Sequence, residues 1–349
     1  MSNLHIRQEG RAGRITLDRG HALNALSYEM CLTIDAALRD WADDDAVALV
    51  LVDATGDKAF CAGGDLGEMY ATGRAGDAGY GRRFWADEYR MNARIAEYRK
   101  PIVTLMQGYT LGGGVGLGCH ASHRVVCETS RIAMPECAVG IVPDVGGSRL
   151  LARAPGRAGA YLGLTGARMG PGCAIWAGFA DHFVPRADWA GLVAELVATG
   201  DVRVIRDHSA PDSPLAARAA QIDRLFQGAT GAEIVTALQA DRSAFATEAL
   251  EMLARGSPLA QACALEVLTR LGRAPGICDA LAMEYRFTWR ATEQSDFLEG
   301  IRAAIIDKDR TPHWRHGALA EVTNAEVGAM LAPLGAAELT FGTSEGKRP

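Results

Sequence analysis

The 349-residue sequence lacks the marks of several large protein classes. Its eight cysteines (31, 61, 119, 127, 137, 173, 263 and 278) include no Cys-x-x-Cys pair. In a chain this long, scattered thiols read as reduced and buried, in a cytosolic protein, and not as a disulfide framework. Basic residues are in deficit, with 36 Lys and Arg against 42 Asp and Glu and a formal net charge of −6. That excludes a general nucleic-acid binder, whose affinity rests on neutralising phosphates. A local basic pocket for one phosphorylated ligand stays open. The first ten residues carry no apolar signal core and include Glu9, so neither a secretory nor a mitochondrial address is read there. The one long uncharged run, Pro101 to Cys119, has six glycines among its nineteen residues, with a Gln and two Thr besides. It reads as a buried strand and turn, not as a membrane span. Gly-x-Gly-x-x-Gly and Walker A sequences are absent, as are a Gly-x-Ser-x-Gly elbow and His-Glu-x-x-His. Those absences remove the usual dinucleotide, phosphate-loop, serine-hydrolase and zinc-protease routes.

What is present is an ordinary globular composition, 48% hydrophobic and 22% charged, over a length that predicts about two domains. The first part alternates strand and helix signals. Ser27 is placed to cap a helix whose Met30, Ile34, Leu38 and Trp41 share one face. Val47 to Val52 is an unbroken apolar run, the pattern of a strand covered on both sides. Lys58–Cys61 forms a short stretch after the turn Thr55-Gly56-Asp57, Ile102–Met106 a further strand, Val115–His120 a helix and Arg124–Val126 another strand. Repeated strand–turn–helix units predict an α/β fold. Residues 205–213 read as a linker, and helical faces follow it: Leu215, Ala219, Ile222 and Phe226; Ile277, Leu281 and Tyr285; Phe297, Ile301 and Ile305. The expected division is an α/β core over 1–204 and a helical region over 205–349, with Thr343–Pro349 frayed.

Two glycine clusters, Ala62-Gly63-Gly64-Asp65 and Leu111-Gly112-Gly113-Gly114-Val115-Gly116, are either tight turns or places where a substrate can approach the backbone. In the second case their N–H groups can face a developing oxyanion. Glu136 in Met134-Pro-Glu136 and Asp144, eight residues on, lie among apolar and glycine residues. Burial there would raise a carboxyl pKa and suit acid–base work, although each residue alone could equally be a cap or turn former. His120 and His123, three apart, lack the carboxylate or cysteine that would complete a metal set, and His313 and His316 stand in the same position. All four read as core or surface histidines.

Taken in order, Lys58-Ala-Phe-Cys-Ala-Gly-Gly-Asp65, Lys100-Pro101, Gly112-Gly-Gly114, Met134-Pro-Glu136 and Pro143-Asp-Val-Gly-Gly147 resemble the crotonase (enoyl-CoA hydratase/isomerase) superfamily. Within it they are closest to the 3-hydroxyisobutyryl-CoA hydrolase branch, and Met283-Glu-Tyr-Arg286 and Glu299–Asp309 extend the match into the C-terminal part. The resemblance implies a spiral of repeated ββα units with a helical C-terminal region. It further implies hydrolysis of a short branched 3-hydroxyacyl-CoA, as in valine catabolism. The runner-up is a short-chain enoyl-CoA hydratase or isomerase.

By the same resemblance the amides of Gly64 and Gly113 form an oxyanion hole and Glu136 is the catalytic carboxyl. Asp144 meets the substrate's 3-hydroxyl, and Glu88 is a further substrate contact. Hydratases of the superfamily carry a second Glu where this sequence has Gly116, and usually a Gly where it has Asp144. Both differences point from hydration toward thioester hydrolysis. CoA is expected as part of the substrate only, with no metal or bound cofactor, no nucleic acid and no membrane. Association into homo-oligomers is open.

Overall fold

A computed structural model describes residues 3–341; the expected frayed end, Thr343–Pro349, lies outside the described residues. Strands β1 (Leu4–Glu9) and β2 (Ala12–Leu17) form an antiparallel hairpin with Leu4 opposite Leu17. Helix α1 (Tyr28–Ala42) follows, capped by the Ser27 hydroxyl, which accepts from the Met30 N–H. Met30, Ile34, Leu38 and Trp41 are all buried, as their spacing predicts. The Lys100 ammonium closes the far end of α1, donating to the carbonyls of Trp41 and Asp44 at 2.6 Å each.

Strands β3 (Leu49–Ala54), β5 (Ile102–Met106), β7 (His123–Val126) and β9 (His182–Phe183) continue the sheet in parallel, in the order β1-β2-β3-β5-β7-β9. Every residue of β3 is buried. This strand starts and ends two residues later than its apolar run, because Asp53 and Ala54 still pair with Thr16 and Leu17 of β2. The Asp53 carboxylate is held there by Arg14 at 2.7 Å.

A second, three-stranded parallel sheet holds β4 (Ala59–Cys61), β6 (Tyr109–Leu111) and β8 (Arg131–Ala133), with β6 in the middle. The chain steps from the large sheet to the small one three times, β3 to β4, β5 to β6 and β7 to β8. Each step is followed by helix: α2 (Leu66–Arg74) and α3 (Ala78–Ala96), then α4 (Gly113–Gly118), then α5 (Gly147–Arg153). This is the α/β spiral of ββα units, and it brings the C-terminal ends of β4, β6 and β8 side by side.

Residues 205–213 are irregular and helices dominate beyond them. The expected helix through Leu215 and Phe226 is two helices, Pro214–Ala217 and Ala219–Leu225, separated at Arg218. Ile277, Leu281 and Tyr285 are buried on the helix Ile277–Gln294. Phe297 and Ile301 are buried as expected, but Ile305 is 42% exposed. The chain passes there into a π-helical turn, Arg302–Ile306, whose i to i+5 bonding rotates the i+4 position off the buried face. One continuous hydrophobic cluster takes Leu26, Phe84 and Val145 from the first part and Leu281, Phe287 and Phe297 from the second. Among the described residues no helix is long and apolar enough to cross a membrane.

Candidate active site

In parallel α/β sheets the groups that meet a ligand gather beyond the carboxyl ends of the strands. Here β4 runs into Gly63-Gly64, β6 into Gly112-Gly113, and β8 through Met134-Pro135 into Glu136. The two glycine loops touch. A Cβ placed on Gly113 would lie 3.2 Å from the Gly64 amide nitrogen, and one on Gly63 would lie 3.8 Å from the Gly113 nitrogen. Gly63 (φ 113°) and Gly112 (φ 49°) have backbone conformations that side chains disfavour. The parallel bridge between Leu26 and Gly64 uses the Gly63 carbonyl and the Asp65 N–H, which leaves the Gly64 N–H free of it. Gly113 is the first residue of α4, where an N–H has no intrahelical acceptor. Neither amide has an acceptor among the described residues, and both glycines line one small volume.

That volume is a cavity of about 220 Å³ lined by both glycine loops and by Phe84, Trp85, Ile141 and Phe297. Three carboxyl groups open into it. Glu88 comes from α3, Glu136 from the short 3-10 turn after β8, and Asp144 from the turn before α5. All three are at least 95% buried. Neither oxygen of Glu136, nor Oε1 of Glu88, has a hydrogen-bond partner among the described residues. Asp144 accepts from the Tyr89 hydroxyl at 2.7 Å. Burial, reinforced by the neighbouring Asp144 charge, pushes the Glu88 carboxyl up to about 8. The same two causes raise Glu136 well above the carboxylate range. Asp144 is pushed up to about 7 by burial, against the lowering effect of the Tyr89 hydrogen bond. A larger open cleft of about 680 Å³ adjoins the cavity through Leu111, Pro135 and Ala138, but none of the three carboxyl groups reaches it.

Glu88, Glu136, Asp144, Gly64 and Gly113 thus surround one cavity. His120 is a buried core histidine, its Nε2 2.9 Å from the Val145 carbonyl, and burial drives its pKa down to about 4. His123 stacks on His182 at 6.0 Å, while the His313 backbone N–H and the His316 ring bond to Glu299 and Glu326. Position 116 is informative. A Cβ on Gly116 would meet Asn92 Nδ2 and Val145 Cβ at 2.8 Å each, so Asn92 and Val145 occupy the space that a side chain there would need. Asn92 is fully buried, and both its side-chain polar atoms lack a partner among the described residues.

Sequence reasoning missed Tyr89, Asn92 and Glu284. Asn92 lies one helical turn beyond Glu88, a spacing that puts the two on one face. Glu284 interrupts the apolar face of Ile277 and Leu281, three residues past the latter; an acid on a buried stripe was a readable signal.

Comparison with known proteins is consistent across most of the chain. The family model described as enoyl-CoA hydratase/isomerase matches residues 12–331. The 3-hydroxyisobutyryl-CoA hydrolase, mitochondrial, of Gallus gallus is 37% identical over 343 residues, covering 95% of this chain and 89% of its own. A crystal structure of an enoyl-CoA hydratase from Rhodobacter sphaeroides 2.4.1 is 61% identical with a TM-score of 0.96, covering 97% of this chain and 100% of that one. A carnitinyl-CoA dehydratase from Mycobacterium thermoresistibile is 40% identical with a TM-score of 0.93, covering 99% and 100%.

Proposed function

This chain belongs to the enoyl-CoA hydratase/isomerase family, and we propose that it hydrolyses a short branched 3-hydroxyacyl-CoA, 3-hydroxyisobutyryl-CoA foremost, to the free acid and CoA. The observation that carries this reading is the trio of buried carboxyl groups that share one cavity, sized for a short acyl group, with two glycines whose amides have no acceptor among the described residues. The amides of Gly64 and Gly113 receive the thioester oxygen as it becomes an oxyanion; such donors contribute about 3–4 kcal/mol each to the transition state. Ionised Glu136, having first given up the proton that its burial favours, attacks the carbonyl carbon, or takes the proton of a water that does. By either route the carbon–sulfur bond breaks, CoA leaves as the thiolate and a water oxygen ends in the acid. Glu88, protonated up to about pH 8 by its burial, is a donor to the bound acyl group. Asp144 accepts from the 3-hydroxyl. CoA enters only as part of the substrate.

The name of the Rhodobacter sphaeroides relative favours a second reading, hydration of a short enoyl-CoA. Hydration across a double bond calls for a second acid–base group beside Glu136; Glu88 and Asp144 line the same cavity, and the difference at position 116 is that its crowding leaves no room for such a group on that wall. All eight cysteines are free, which suits a reducing compartment, and we place the reaction in the cytosol. The deciding experiment is free-thiol release from 3-hydroxyisobutyryl-, 3-hydroxypropionyl-, isobutyryl- and crotonyl-CoA, with Glu136→Gln as control. Rapid release from the hydroxylated substrates, lost in the variant, supports hydrolysis. Loss of crotonyl absorbance without thiol replaces it with hydration.

A further inference from the structure

Asp144 precedes two residues with left-handed backbone, Val145 (φ 53°) and Gly146 (φ 77°), and the Gly147 N–H closes the turn on the Asp144 carbonyl at 2.7 Å. Glycine takes this conformation freely. Valine, branched at Cβ, does not, so its surroundings must impose it.

Two side chains that do not line the cavity supply that constraint. His120, on the residue following α4 and Cys119, reaches the Val145 carbonyl with Nε2 at 2.9 Å. A carbonyl only accepts, so Nε2 carries the proton, and burial keeps the ring neutral. Glu284, fully buried on the helix Ile277–Gln294, accepts from the Gly146 N–H at 2.8 Å, from the Ser148 N–H at 3.0 Å and from the Ser148 hydroxyl. The carbonyl of residue 145 and the N–H groups of 146 and 148 are therefore each held by a side chain from another element. Val145 itself is wedged against Gly116 and forms part of the cavity wall.

We propose that His120 and Glu284 are positioning residues for Asp144: they hold Val145 in a conformation it would not adopt unaided, and thereby aim the Asp144 carboxyl into the cavity. This rests on the reading of Asp144 as the partner of the substrate's 3-hydroxyl. It adds that selectivity for a hydroxylated acyl group is fixed from outside the site, in part by the C-terminal helical region.

The test compares kcat/KM for 3-hydroxyisobutyryl-CoA and for isobutyryl-CoA, which lacks the hydroxyl, in His120→Phe and Glu284→Gln. Losing the clamp lowers the ratio of the two at least tenfold, toward that of Asp144→Asn. Adding Val145→Gly to either variant restores most of the ratio, because glycine adopts the turn without help. A role in folding alone lowers both activities in proportion, and an unchanged ratio, or no restoration by Val145→Gly, overturns the proposal. Should the wild-type protein release no thiol, the thioesterase reading falls, and a carboxyl-carbon NMR titration of Asp144 then decides the positioning role. In His120→Phe, which takes no carboxyl away from beside Asp144 as Glu284→Gln does, its midpoint moves from about 7 toward the ordinary carboxylate range as the turn relaxes; an unmoved midpoint overturns the proposal.

Discussion

The phenol of Tyr89 donates a 2.7 Å hydrogen bond to Oδ2 of Asp144, and both groups are buried. Because the donor favours the ionised carboxylate, it works against the burial that raises Asp144 to about 7. Tyr89→Phe removes that opposition and moves the Asp144 midpoint higher still. An ionised Asp144 is the better acceptor for a hydroxyl, so kcat/KM for a 3-hydroxyacyl-CoA falls as pH drops through about 7. In Tyr89→Phe the same limb lies at higher pH. Thiol-release profiles between pH 5 and 9 check this; a limb that does not move assigns the titration to another group.

The buried carboxyls also set a pH dependence of stability. Glu88 and Glu284 keep their protons to about pH 8 when folded, against 4.5 for the ordinary group, and Asp144 to about 7 against 3.8. Between those limits the folded state binds more protons than the unfolded one, so these groups make stability fall as pH rises from about 4 to about 8. His120 has the opposite sign between about 4 and 6.5, because burial keeps it from charging in the folded state. Glu88→Gln mimics the protonated acid without its titration. Its Tm matches the wild type near pH 5 and exceeds it by a few degrees at pH 8.5, as calorimetry at the two pH values can show. A larger gain at pH 5 than at pH 8.5 contradicts the assignment.

Asn92 and Gly116 form a matched pair. Gly116→Ala puts a methyl 2.8 Å from both Asn92 Nδ2 and Val145 Cβ, and overpacking of this kind costs about 1–3 kcal/mol. Asn92→Ser opens the space, so the double variant regains part of what the single variant loses. Urea unfolding of all four members of the cycle measures the coupling. Additive losses would mean that the backbone, and not Asn92, takes up the strain.

Much of this arrangement is legible in the sequence because it is local. The face of α1 follows from the spacing of four apolar residues, and the bounds of β5, Ile102 to Met106, coincide with the stretch read as a strand after Pro101. The glycine loops mark where β4 and β6 end. Glu284 stands out as an acid on an apolar stripe, but its role, like that of Tyr89, could not be read in the same way, because it lies in contacts with the turn at 144–148. Tyr89 stands 55 residues from its partner Asp144, and Glu284 stands 136 residues from Ser148. No periodicity encodes such a contact; it exists only once α3 and the helix Ile277–Gln294 pack beside α5. Ile305 was misread for a related reason, since a π-helical turn has no signature in a pattern of fours.

Gly112 offers a way to displace Glu136 without altering its chemistry. The residue has φ 49°, and a Cβ on it would lie 2.9 Å from Glu136 Oε1. Gly112→Ala therefore keeps every carboxyl in the cavity while pushing Glu136 off its position, and it also strains the backbone next to the Gly113 amide. If Glu136 must meet the carbonyl carbon, or a water poised over it, this displacement lowers kcat by about tenfold or more, short of the roughly 10²-fold that a full 1 Å misplacement costs, with KM little changed. Glu136→Gln, which removes the group itself, loses roughly 10²–10⁴-fold. A Gly112→Ala enzyme with full kcat, beside an inactive Glu136→Gln, would show that the charge of Glu136 matters and its placement does not. Steady-state thiol release from the two variants, normalised to folded protein by circular dichroism, separates these outcomes. Alanine at 113 is a useful comparison, because its methyl instead falls 2.8 Å from Glu88 Oε1. That methyl also lies 3.2 Å from the Gly64 amide nitrogen, between the two amides, so the loss appears in kcat as well as in KM.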